Sequence, residues 1–251
     1  MRNALMVVVM ATVILIASFG FRKIGTSPFV QNQALTDTLH IHDTLSLQVP
    51  EWKVLYDSLQ LATLGLSDET FRYAWYGFQN MKLQKPIMAI ADFSQSSRNK
   101  RLYVIDAVNK KLILNTYVAH GRNSGQEFAQ KFSNENSSYQ SSLGFYRTLS
   151  TYQGKHGLSL RLEGQEKGVN DRALERAIVM HGADYVSENF IRNTGRLGRS
   201  LGCPAVSMAE HERLIKLLTG GAGLFLYYPD ATYLRASQLL AGLVNTQNTA
   251  L

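Results

Sequence analysis

The apolar positions change their spacing several times along the chain, and each change marks a different kind of segment. From Ala4 to Phe21 the chain is uncharged and rich in Val, Ile, Leu and Met, with Arg2 before it and Arg22-Lys23 after it. A spanning helix needs ~17–25 apolar residues, and this run meets the short end of that range. It also fits the apolar core of an export signal, with Ser18 and Gly20 as the small residues before a cut. Residues 1–23 are therefore read as a signal peptide or a membrane anchor. Positive charge on both flanks leaves the orientation rule silent, and the absence of a nearby cysteine excludes a lipoprotein anchor. Residues 24–50 are polar and carry no sustained period, which predicts a linker.

A helical segment is expected over 51–84. Trp52, Leu55, Tyr56, Leu59 and Ala62 recur at helical spacing, and a second helix starts after Ser67, a good N-cap, with Phe71, Ala74, Trp75 and Phe78 on one face. Beyond Pro86 the pattern turns to short β-rich runs. These are Ile87–Phe93, Leu102–Ala107, Leu112–Ala119, Phe145–Thr148, Leu158–Leu162, Ala177–Met180 and Leu224–Tyr228. The second and third are joined by a turn at Asn109-Lys110. The polar stretch Gly121–Ser142 reads as a long loop of the kind that carries function. Ser207 and Glu210 form an S-x-x-E capping box ahead of a helix bearing Leu214, Leu217 and Leu218, which Gly220-Gly221 ends. A catalytic domain is thus expected over 85–230, followed by a short helix and polar tail over 231–251.

With 45% hydrophobic and 18% charged residues in 251, the chain is a folded protein. Its net charge of +7 allows an acidic partner. No basic stripe interleaved with aromatics and no finger motif points to nucleic acid, so none is expected as a partner. A single cysteine rules out internal disulfides and any site that needs two sulfurs. His40 and His42 in the linker have no third ligand nearby and read as solvated.

That one thiol is the chemical centre of the sequence. Cys203 sits in Gly198-Arg199-Ser200-Leu201-Gly202-Cys203-Pro204-Ala205-Val206, a turn between a Gly-rich loop and a helix. Gly202 allows close approach of a substrate backbone, Pro204 stiffens the turn, and free amides there can form an oxyanion hole. Arg192, Arg196 and Arg199 precede it, and nearby positive charge is expected to lower the thiol pKa. A base is also needed. His181 ends a β-rich run and is followed by Gly182, whose carbonyl can hold one ring nitrogen so that the other faces the sulfur. His120-Gly121 repeats the pattern, and spacing alone leaves both as candidates.

His181-Gly182 followed by Ser200-Leu201-Gly202-Cys203 resembles the histidine-glycine and serine-x-glycine-cysteine motifs of the L,D-transpeptidase catalytic domain, specifically the murein branch with a Gly-Cys-Pro-Ala ending. Supporting blocks are Val118–Gly125, Ser141–Tyr146 and Gly195–Ser200, in matching order. The resemblance implies a mainly β fold with flanking helices, a β-sandwich or mixed-sheet catalytic domain preceded by a helical segment. It implies Cys203 as nucleophile, His181 as base, Gly182 as its orienter, and the Gly202 and Cys203 amides at the oxyanion. Arg199, with Ser200, His120 and Arg196, would bind substrate, and no metal or cofactor would be required.

The implied reaction releases D-alanine from a peptidoglycan tetrapeptide stem and passes the acyl group to an amine of a neighbouring stem, giving a 3→3 cross-link outside the cytoplasm. Hydrolysis by the same residues, as an L,D-carboxypeptidase or endopeptidase, is the alternative within the enzyme class. Outside it stands a catalytically silent wall-binding module; a zinc peptidase using His120, His181 and Cys203 is a further rival. Leu201 and Ala205 depart from the wider family, which mostly carries a second histidine at the first position and often arginine or asparagine at the second.

Overall fold

The computed structural model describes residues 49–243. The expected signal or anchor, residues 24–48 of the expected linker with His40 and His42, and the tail from 244 onward lie outside the described residues.

The helical segment contains α1 (Glu51–Ser58), a 3-10 turn (Leu61–Leu64) and α2 (Asp68–Gln79). Ser67 caps α2 by accepting a hydrogen bond from the Thr70 N–H, as the sequence predicts. Eight strands follow: β1 (Ile87–Asp92), β2 (Leu102–Asp106), β3 (Lys111–Thr116), β4 (Gly144–Gly154), β5 (Gly157–Gly164), β6 (Val179–Ala183), β7 (Ala205–Ser207) and β8 (Gly223–Tyr227).

They form one mixed sheet in the order β3-β2-β1-β8-β4-β5-β6-β7. Most neighbours are antiparallel, while β1 with β8 and β6 with β7 run parallel. Strand alternation supplies a core on each face. Ala89, Ala91, Leu102, Val104, Leu224 and Leu226 point to one core, with Leu214, Ile215 and Leu218 of α4 (His211–Leu218). Met88, Ile90, Tyr103, Ile105 and Phe225 point to the other, with Phe71, Ala74 and Phe78 of α2. Phe145 stacks on Phe225 at 4.0 Å between ring centroids and meets Phe78 edge-on. Such aromatic burial fixes the helical segment to the sheet.

After β3 the chain reaches the far end of the sheet. Ala119 and Ala205 exchange backbone hydrogen bonds at 2.8 and 3.4 Å, so β7 has a partner on its outer side. Two short helices complete the described chain, α3 (Glu188–Thr194) and α5 (Ala231–Ala236). Glu166, buried beside β5, accepts hydrogen bonds from the Phe145 N–H and the Tyr233 hydroxyl and also pairs with Ser237, which ties α5 to the sheet.

Two local expectations change. Ser207 does not cap α4, because a turn over 208–210 delays the helix to His211; Glu210 is the N-cap and makes no side-chain cap bond, while Ser207 ends β7 and its hydroxyl donates to Glu210 Oε2. The strand expected at Phe145–Thr148 continues to Gly154 through an irregularity between Thr148 and Thr151, making a long hairpin with β5.

Candidate active site

Parallel pairing of β6 with β7 sets His181 opposite Ala205, two residues after Cys203. His181 and Cys203 line one cleft of about 460 Å³. His181 is 4% exposed, and its Nδ1–H donates to the Gly182 carbonyl at 2.8 Å. That bond leaves Nε2 as the unprotonated nitrogen of the neutral ring, able to take a proton. Burial, then the charges of His156, Lys155 and His211, hold the His181 pKa below its ordinary value, against the stabilising bond to Gly182. A side chain at Gly182 would bring Cβ within 2.7 Å of His211 Cγ and Met208 Sδ. Glycine is thus required where β6 passes beneath the start of α4.

Cys203 is partly exposed. Its thiol lies 3.9 Å from the Ala177 carbonyl, and among the described residues no hydrogen bond joins it to His181. Burial raises the thiol pKa, while the Val179 amide and the charges of Arg176 and Lys155 favour the thiolate. The three arginines that precede the cysteine in sequence do not supply that charge, contrary to expectation. Arg192 is exposed on α3 beside Glu188, Arg196 bonds the Leu197 carbonyl, and Arg199 bonds the Arg122 and Gly125 carbonyls at 3.0 Å. Arg199 does line the cleft, whereas Arg196 does not.

The turn carrying the sulfur is held from within. Ser200 Oγ donates to the Cys203 carbonyl at 2.6 Å and accepts from the Gly202 N–H at 3.1 Å. The Gly202 amide is therefore engaged, and the Ser200 hydroxyl is committed to the turn. Among the described residues no acceptor takes the Cys203 N–H, which leaves that amide available to an oxyanion. Gly202 adopts φ +123°, and a Cβ there would approach the Gln140 carbonyl to 2.8 Å. Ser141 Oγ donates to the Gly202 carbonyl and so anchors the turn to the long 121–142 loop.

His120 lies elsewhere. It is 1% exposed, and Arg101 Nη2 donates to its Nδ1 at 2.8 Å. Burial and the Arg101 charge lower its pKa to about 3. It does not line the cleft, so of the two candidate bases only His181 shares the space of the sulfur, and His120 does not face a substrate bound there. The zinc reading required His120, His181 and Cys203 to converge. Among the described residues no three His, Cys, Asp or Glu side chains are arranged to hold a metal ion.

Two cleft residues escaped the sequence. Arg176 follows an irregular, turn-rich stretch; it donates to the Ser133 and Gln140 carbonyls and reaches the Cys203 charge. His156 stands at the β4–β5 turn with its ring over His181. Lys155, His156, Arg176, His181 and Arg199 line the cleft, and no Asp or Glu among the described residues does. The lining therefore favours anionic groups.

An L,D-transpeptidase from Mycobacterium smegmatis is similar to the chain at 12% identity and a TM-score of 0.35, covering 57% of this chain and 59% of its own. The chain thus spans less than two thirds of that protein. One from Stackebrandtia nassauensis gives 16% identity and 0.34, with 64% and 67% coverage. The helical cell shape determining protein Pgp2 from Campylobacter jejuni gives 10% and 0.39, with 70% and 64% coverage. No curated protein matches. The family model of the L,D-transpeptidase catalytic domain matches residues 63–227, a span that holds both strands of the cleft, its hairpin and the Cys203 turn. With that match over more than half its length, the chain belongs to the L,D-transpeptidase catalytic domain family.

Proposed function

We propose that the protein is a peptidoglycan L,D-transpeptidase working through a thioester at Cys203. The observation that carries this reading is the shared cleft, in which Gly182 holds His181 through Nδ1 and the only thiol of the chain lines the same space. His181 takes the thiol proton as sulfur attacks the carbonyl of the stem peptide. The resulting oxyanion accepts from the Cys203 N–H. His181 returns the proton to the departing amine of D-alanine, leaving a thioester. An amine of a second stem then attacks, passes a proton through His181 to the sulfur, and forms the 3→3 cross-link. Catalytic hydrogen bonds commonly close only as the substrate enters, which accommodates the separation of thiol and ring.

Burial shifts the two groups in opposite directions and favours a neutral resting pair over a preformed ion pair. Arg199 and Arg176 suit the carboxylates of stem peptides. Export to the cell envelope, with residues 4–21 as signal or anchor, belongs to the same proposal. Intact-mass measurement after incubation with a tetrapeptide stem tests it. A thioester adduct that disappears in Cys203→Ser, together with cross-linked dimer, is the expected result. Tripeptide alone would assign hydrolysis instead, and no adduct would reject the cysteine mechanism.

A further inference from the structure

The β4–β5 hairpin ends in a tight turn. Gly154 pairs with Gly157, so Lys155 and His156 form its tip, and Gly157 takes φ +75° to close it. Below the tip, Arg161 lies over the Tyr152 ring at 4.6 Å and donates to Ser150 Oγ and the Thr151 carbonyl. This bracing sets the tip over the cleft. The His156 ring faces His181 with centroids 4.6 Å apart and planes 23° from parallel.

We propose that His156 is a positioning residue for His181, holding the imidazole by stacking on one face while Gly182 holds its edge. The inference rests on the reading of His181 as the base. A single hydrogen bond at Nδ1 leaves a ring free to rock about that bond; a second ring against its face removes that freedom. The groups facing His181 are Lys155 and His156 from the hairpin and His211 from α4, with Cys203 across the cleft.

The test compares His156→Ala and His156→Phe in the full chain, with thermal melts to verify folding. Because Cys203 is the only cysteine, iodoacetamide labelling followed by intact mass reads this thiol alone. Thioester formation with the tetrapeptide gives the second readout. His156→Ala should slow both about threefold to tenfold, the scale of losing one ring contact, and Phe should restore most of the rate. The acid limb of the acylation profile should move to higher pH in the alanine variant, since both cover and a neighbouring charge are removed. In a His181→Ala background the effect of His156→Ala on labelling should vanish. Unchanged rates in His156→Ala, no rescue by Phe, or an effect that persists without His181 would each overturn the proposal. Absence of thioester in the wild-type protein rejects the transpeptidase reading, while the labelling arm still decides whether His156 acts through His181.

Discussion

Arg176 lines the cleft with Cys203, where its charge favours the thiolate, and the same guanidinium fastens the 133–142 loop through the Ser133 and Gln140 carbonyls. One side chain thus links loop order to thiol ionisation. Arg176→Met should raise the thiol pKa and slow iodoacetamide labelling near neutral pH about threefold or more. Arg176→Lys should retain much of the rate while loosening the loop. Equal rates in wild type and the methionine variant would remove Arg176 from the account.

The pH dependence follows from opposite shifts. His181 holds its proton less tightly than the ordinary 6.5, so the acid limb of acylation should lie below that value. Cys203 holds its proton more tightly than the ordinary 9.0, so labelling by iodoacetamide should keep rising past that pH. A labelling midpoint well below neutrality would show a preformed thiolate and contradict this picture.

Acid stability should depend on His120. Its folded pKa of about 3 lies below its ordinary 6.5, so between those values the unfolded chain binds a proton that the folded chain refuses. Stability is fully present above the upper value and is lost as pH falls toward the lower one. His120→Asn keeps an acceptor for Arg101 and cannot protonate. Urea titrations of this variant should show a flatter decline over that window.

Gly202→Ala should disturb the Cys203 turn directly. The positive φ and the close Gln140 carbonyl together predict a cost of about 1–3 kcal/mol and a marked loss of acylation. Melting temperature and thioester rate check the two parts, and a fully active, equally stable variant would refute the constraint.

Local chemistry was readable where it depends on neighbours in sequence. Ser67 and the apolar face of α2 declare a helix, and the histidine-glycine and glycine-cysteine blocks declare the turn. What pairs in space was not readable. Ser207 has the form of a cap, yet it ends β7 and a turn over 208–210 separates it from the first residue of α4. Arginines close to Cys203 in sequence bond carbonyls elsewhere, while Arg176 arrives from an aperiodic stretch. His156 carries no motif, and only the length of the β4–β5 hairpin brings it to the cleft.

The contact between Ala119 and Ala205 bears on how the proposed peptide substrate could be held. With β6 on one side and Ala119 on the other, the short strand next to the sulfur offers no vacant backbone ladder at Ala205 to which an incoming chain could add. Cationic side chains lining the cleft are available to a carboxylate-bearing ligand, and under the proposed function its affinity should weaken as ionic strength rises.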